Sequence, residues 1–256
     1  RYFMDLSFLS NIEDKVTLIA PSRRLAASLR QFLNKSKAIN QQAWETVSVY
    51  ALEDWKASLW AQYEIEGLTL KLLLNPLQSL LRFEQIIINS ETGKGLLRQH
   101  QAAKTALQAW DLIHHWQCED IIHQNGNNAN EEAFYEWART FEQWLSESGY
   151  IDNTLLTQQL LTLITDNEEI VTKISPVKAI HLYGFEELSP LTSYFFESLK
   201  TQRWQINHSD IPSVMPQSCR RIAFNQKEAE FYAAAHWAKE ASQKNQTIGI
   251  VVPNLA

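Results

Sequence analysis

Glycine is scarce in this chain, at seven residues in 256. That leaves little material for loops that need glycine to press backbone N–H groups against a phosphate. A phosphate-binding loop of the form GxxxxGK[ST] is missing. The one Gly-Lys pair, Gly93-Lys94, is followed by Gly95 and has Ile88 where the first glycine belongs. It also falls between two expected helices rather than after a strand. The GxSxG elbow of a nucleophilic hydrolase is absent as well. Only two cysteines occur, Cys118 and Cys219. They lie far apart, which argues against a disulfide framework and suits a reducing, cytoplasmic setting. No run of about 18 apolar residues exists, so no membrane span is expected. The opening RYFMDLSFLSNIEDKV scatters Asp5, Glu13 and Asp14 around a short apolar piece, a poor signal peptide.

The chain is long enough for one large domain or two smaller ones. Its hydrophobic content of 45% with 20% charged residues is ordinary for a globular protein. The net charge of -6 hides an asymmetry. Residues 44–170 hold 7 Lys and Arg against 19 Asp and Glu, whereas the flanks hold 16 against 10. Seven of the nine tryptophans also lie in the acidic middle. A change of architecture there, an insertion between two more basic segments, accounts for both asymmetries.

Along the chain, Lys15–Ala20 is a short apolar run closed by Pro21-Ser22 and reads as a buried strand. Ser22 suits the N-cap of a helix over Arg23–Asn34, with Leu25, Leu29, Phe32 and Leu33 as its inner stripe. Thr46–Tyr50 reads as a second strand. From Leu52 to about Asn167 the apolar spacing is helical throughout. The large aromatics there, Trp55, Trp60, Trp110, Trp137, Phe141 and Trp144, are expected to be glue between helices. Arg203–Asn207, Cys219–Phe224 and Thr247–Val252 read as further strands, with a helix over Gln226–Ala241. Asp210–Pro216, with two prolines, reads as a loop. The chain stops at Pro253-Asn254-Leu255-Ala256 just after an expected strand, so a fragment of a longer chain is expected.

The stretch AIHLYGFEELSPLTSYFFESL, residues 179–199, organises the α/β part. Ile180–Tyr183 has buried-strand character and Gly184 makes the turn. Ser189-Pro190 opens a helix with Leu191, Tyr194, Phe195 and Leu199 at helical spacing. In a working ATPase the strand end presents an Asp-Glu pair that holds magnesium and polarises water; here Tyr183 and Gly184 occupy it.

The best anion site is Ser22-Arg23-Arg24, where a strand meets a helix N-terminus. Backbone N–H groups, the helix dipole and two guanidinium groups can converge there on a phosphate. Arg30 lies two turns on, and Arg203, Arg220 and Arg221 lie in or beside expected strands. Two other patterns read as solvated charge on the outside of helices and turns. The acid-x-Lys pairs at Glu13-Asp14-Lys15 and Asp54-Trp55-Lys56 lack the upstream strand-borne Asp of a nuclease metal site. His115, Glu119 and His123 share one face of an expected helix. An i, i+8 pair is more than roughly 10 Å apart along a helix, too far to share one ion. No catalytic residue, metal site or cofactor is expected.

Taken together, these segments carry a resemblance. TLIAPSRRLAASLRQFL resembles the strand–loop–helix of superfamily 1 helicases that follows Walker A and touches single-stranded DNA. IHLYGFEELSPLTSYFFESL is similar to their Walker B region, usually DEFQDTSPLQ. Tyr183 and Gly184 then stand where the magnesium-binding Asp and catalytic Glu belong, with Glu186 and Glu187 following. AFNQKEAEFYAAAHWAKEASQKNQTIGIVVPNL resembles the segment leading to the second helicase domain. LLNPLQSLLRFEQII, ALQAWDLIHHWQ and FYEWARTFEQWLSESGYID resemble the helical region of AddB-type helicase-nuclease subunits and of bacterial DNA repair proteins like them. Those proteins carry a degenerate helicase region followed by a PD-(D/E)XK nuclease.

The resemblance implies a RecA-like, P-loop-NTPase-like but degenerate α/β core over 1–43 and 171–256, with a parallel sheet. A helical insertion would fill 44–170. Without Walker A and with a degraded Walker B, ATPase activity does not carry over, and the nuclease would lie beyond this chain. The implied function is a non-catalytic, helicase-like DNA-binding region of a DNA repair and recombination exonuclease. Ser22, Arg23, Arg24 and Arg30 would contact the DNA backbone. An alternative is an interaction scaffold that docks a partner repair subunit through the acidic, Trp-rich helices. A third reading keeps ATP binding through other residues, which a nucleotide-dependent thermal shift would reveal.

Overall fold

The computed structural model describes residues 16–40, 48–166, 178–210, 220–246 and 248–252. The chain divides into two compact units, Phe8–Ile211 and a smaller one of Arg1–Ser7 with Pro212–Ala256. The architecture is mixed α/β, mostly helical, around a small parallel sheet.

The larger unit begins with β1 (Thr17–Ala20), a continuous apolar run buried on both faces, as strands of parallel sheets are. Ser22 ends the turn that follows. Its Oγ accepts the Leu25 N–H at 3.2 Å and its carbonyl accepts the Ala26 N–H, capping α1. α1 spans Arg23–Asn40, six residues longer than expected. Its buried stripe is Ala26, Leu29 and Leu33, whereas Phe32 is 42% exposed. β2 (Val49–Ala51) pairs parallel with β1.

β5 (Ala179–Tyr183) pairs with the other side of β1, Thr17 opposite Ile180. Gly184 follows with φ +78°, a left-handed conformation that glycine accepts without strain. Ser189 caps α8 (Pro190–Thr201), with Pro190 preset for the first turn. Phe196 joins Leu191, Phe195 and Leu199 inside, and Tyr194 is 59% exposed. The last strand, β6, is Gln205–Ser209 rather than 203–207. Arg203 has φ +67°, which no strand residue adopts, so the ladder starts beyond it. The sheet order is β2-β1-β5-β6, all parallel.

Between β2 and β5 run α2 (Leu52–Ile65), β3 (Leu72–Leu73), α3 (Pro76–Asn89), the single turn α4 (Glu91–Lys94), α5 (Gln99–His115), a 3-10 turn (Glu119–His123), α6 (Ala129–Ser148), β4 (Tyr150–Ile151) and α7 (Asn153–Asp166). β3 and β4 form a short parallel pair. α2 and α7 pack into the sheet's own core. There Ile19, Ile180 and Leu182 meet Trp55, Leu59, Trp60, Leu156, Leu160 and α8. Trp55 is held edge-on by Phe195 and Trp204 and stacked on Phe196. Residues 74–145 carry a second core around Phe83, Trp110 and Phe141. Trp55, Trp60, Trp110 and Trp137 are buried, as expected of glue between helices; Trp44 lies outside the described residues.

In the smaller unit, α9 spans Lys227–Gln243. The expected strands over 219–224 and 247–252 do not form among the described residues, 220–224 and 248–252. Ile222, Phe224, Ile250 and Val251 stay exposed there, so these runs lack the burial that makes a strand of an apolar segment. Cys219, Thr247, Glu13–Lys15 and most of the 210–216 loop fall outside the described residues.

Candidate nucleic-acid interface

A parallel sheet binds ligands beyond the carboxyl ends of its strands, where successive crossovers run in opposite directions. Here that point lies between β1, which crosses to β2 on one side, and the β5–β6 pair on the other. The fold thus brings two expected segments to one end of the sheet: Ser22-Arg23-Arg24 after β1 and Gly184–Glu187 after β5.

The side chains there have different fates. Arg23 is turned onto Asp54 in the first turn of α2, with Nε donating to both carboxylate oxygens at 2.9 and 3.0 Å and Nη2 to Oδ1 at 2.6 Å. This fork-on-carboxylate geometry is strong and directional. Asp54's hydrogen bonds and charge raise the Arg23 pKa further above its already high ordinary value. Arg30 donates from Nη2 to the Val49 carbonyl at 2.5 Å and so ties α1 to the outer strand β2. Arg24 is exposed, and its side chain makes no hydrogen bond or ion pair among the described residues. Ser22 is spent as the helix cap, leaving the remaining N–H groups of the first turn pointing outward.

On the β5 side, Tyr183 is fully buried and Phe185 packs into the first core. Glu186 and Glu187 are exposed and line a recess of about 340 Å³ with Lys200, Ile206 and His208. They therefore face α8 and β6. Arg203 precedes β6, at the opposite end of the sheet from the β1 turn, and Arg220 and Arg221 belong to the smaller unit.

The His115, Glu119 and His123 stripe is broken. α5 ends at His115, Gln117 has φ +57°, and Glu119 and His123 sit on the separate 3-10 turn. No group of three metal-type ligands occurs among the described residues.

Lys56, expected at the surface, is 1% exposed. Its ammonium donates to Thr157 Oγ1 at 2.8 Å and pairs with Glu53 at 2.7 Å. The helical sequence shows no sign of this, because Thr157 is 101 residues away. Nearby, Thr154 Oγ1 donates to Asp111 at 3.1 Å, and His115 lies 3.2 Å from the same carboxylate. Burial alone would push Asp111 up, but His115, Thr154 and the charge of Lys56 hold it below the ordinary carboxylate value. The hydrogen bond to Asp111 raises His115 against the opposing effect of burial.

This pair should be legible in stability against pH. The His115 contribution is fully present below the ordinary imidazole value of 6.5 and is lost as pH rises through the raised folded value. The Asp111 contribution is present above 3.8 and is lost as pH falls through the lowered folded value. Urea unfolding at a series of pH values should therefore show a slope above pH 6.5 that His115→Gln removes. An unchanged slope in that variant would show that the pair carries no linkage.

No family model and no curated protein matches the chain.

Proposed function

We propose that this chain is a non-catalytic, helicase-like DNA-binding region of a DNA repair and recombination exonuclease. Its task would be to hold the DNA backbone and lead it to a nuclease further along the chain or on a partner subunit. The observation that carries the reading is the β1 turn: a capped helix N-terminus beside the switch point, with an exposed, unengaged Arg24 at the mouth. Free N–H groups, the positive helix end and a guanidinium suit a phosphate and read no base, so the expected affinity is salt-dependent and nearly indifferent to sequence. Arg23 supplies a second guanidinium only after leaving Asp54, and Arg30 contributes as an anchor of α1.

The docking alternative loses most of its tryptophans. Of the seven in the acidic middle, four are buried, and Trp116 is exposed at the end of α5.

Fluorescence anisotropy with a single-stranded oligonucleotide at two salt concentrations tests the proposal. Arg24→Ala should weaken binding several-fold and reduce the slope of log K against log salt by about 0.7, the value for one phosphate contact on a single strand. Absence of binding at low salt would remove DNA contact by this chain and leave docking of a partner subunit through the acidic helices.

A further inference from the structure

The two edges of the sheet are finished differently. At the β2 edge, Leu18 N–H donates to the Ser48 carbonyl, which turns the Val49 carbonyl away from β1, and the Arg30 guanidinium meets it there. The other edge is β6, which pairs with β5 alone. Gln205 N–H donates to the Lys178 carbonyl at 2.8 Å, and Gly184 N–H to the Ser209 carbonyl at 3.0 Å, so the odd-numbered residues of β6 face β5. Alternation then turns the N–H and C=O groups of Ile206 and His208 outward. No described residue meets them, and Gln205, Asn207 and His208 are exposed. Such a row of backbone donors and acceptors is a template for another strand, and chains usually guard it with a lysine, a proline or a bulge. Gln205–Ser209 carries none of these and keeps one unbroken register with β5.

The flank of this edge says which strand fits. Ile206 and His208 stand opposite Ile180 and Leu182, on the face that α8 covers, and both line the recess of about 340 Å³ beside Glu186 and Glu187. A strand added on β6 would lay every second side chain over that recess. Three carboxylates, Glu186, Glu187 and Glu197, stand around it against one ammonium, Lys200. Lys200 is engaged by Glu197 at 2.6 Å, and the His208 ring is turned onto the Phe185 carbonyl at 3.3 Å. Glu186 and Glu187 are exposed and accept no hydrogen bond or ion pair among the described residues. Leu182, Phe185 and Phe196 supply an apolar wall beneath them. A carboxylate rim over an apolar wall fits long basic side chains, whose stems lie on the wall while their heads reach the rim. The same rim repels nucleic-acid phosphates. The β6 of a second copy has no lysine or arginine to offer.

We propose that β6 receives a fifth strand, an extended segment of a partner protein with arginine or lysine at alternate positions. Its backbone pairs with Ile206 and His208, and its basic side chains lie over Glu186 and Glu187. The site is separate from the DNA reading and stands without it.

The test is an NMR titration of the whole chain, at fixed ionic strength, with short capped peptides that alternate arginine or glutamate with threonine. The arginine peptide should give saturable shifts at the Ile206 and His208 amides and slow their hydrogen exchange; the glutamate peptide should not. Methylating the backbone nitrogens of one alternating set of the arginine peptide should abolish binding, and methylating the other set should leave it, because only one set faces β6. Glu187→Lys should weaken the arginine peptide by about tenfold. His208→Pro removes an outward N–H that the sheet does not use, so it should abolish binding while the spectrum keeps the fold. His208→Ala, which loses the same side chain, should still bind. Four results would overturn the proposal: no saturable shift up to roughly 5 mM peptide, equal binding of the glutamate peptide, equal binding of both methylated sets, or exchange protection of Ile206 and His208 before any peptide is added. A concentration-dependent dimer that His208→Pro dissolves would give the edge to a second copy and overturn it as well.

Discussion

Asp152→Ala is expected to destabilise the larger unit by about 2–3 kcal/mol, because one buried carboxylate holds two elements at once. Oδ1 accepts the Leu155 N–H at 3.0 Å and so caps α7. Oδ2 accepts the Trp110 indole N–H at 2.9 Å. Losing a cap costs about 1 kcal/mol, and stranding a buried N–H costs about 1–3 kcal/mol. Desolvation works in the opposite direction. Burial raises the Asp152 pKa despite both hydrogen bonds, so removing the carboxylate also relieves the cost of keeping a charge out of water. The two lost hydrogen bonds outweigh that relief, because Trp110 is wholly buried and its indole N–H is left without the carboxylate that accepts it. Asp152→Asn should fare little better, since its amide can cap α7 but then turns an N–H₂ toward the indole.

The bond also has an architectural meaning. α7 belongs to the core shared with the sheet, and Trp110 to the core of residues 74–145. Urea unfolding of Asp152→Ala, followed by tryptophan fluorescence and by far-ultraviolet dichroism, should separate into two transitions where the wild type shows one. A double-mutant cycle with Trp110→Phe should return a coupling of at least about 1 kcal/mol. Coupling near zero would mean that the two cores are joined by packing alone.

Asp54→Ala is expected to do the opposite of most substitutions at an interface and tighten DNA binding, by roughly three- to tenfold at low salt. Asp54 holds the Arg23 guanidinium in a bidentate pair beside the β1 turn. Both partners are open to solvent, with side-chain exposures of 82% and 38%, so the pair contributes little to the fold. Its removal releases a cation next to Arg24 at little structural cost. The salt slope should steepen by about 0.7 as one phosphate contact is gained. Removing a negative charge would by itself favour DNA, and the double variant Arg23→Ala/Asp54→Ala distinguishes the causes. If the gain survives in the double variant, Arg23 is no part of the DNA track.

What the sequence made legible was local. β1 is an unbroken apolar run closed by Pro21, and the capping serines Ser22 and Ser189 stand at the ends where helices begin. Gly184 marks its turn because only that residue takes φ +78° there without strain. What escaped was set by residues distant in sequence. Phe32 and Tyr194 fit a helical stripe as well as Ala26 and Phe196 do, and the facing elements decide which pair turns inward. Arg23 looked available until Asp54, 31 residues on, claimed it. Lys56 looked exposed until Thr157 and Glu53 enclosed its ammonium. The runs at 220–224 and 248–252 have the composition of strands, but composition cannot supply the neighbouring ladder a strand needs.

The sheet's order has a consequence for synthesis. Its central pair joins Thr17 to Ile180, so β1 waits for roughly 160 residues to be made before it meets β5. At about 5–20 residues per second that is roughly 10–30 s. During this time the β1–α1–β2 unit carries an apolar, unpaired strand edge. Of the helices between β2 and β5, α3, α4 and α5 rest on near-neighbour contacts and form first, shortening the gap the chain must close. The nascent protein is thus most vulnerable to aggregation before β5 is complete, and a chaperone that shields β1 in that interval would raise its yield more than one acting after release.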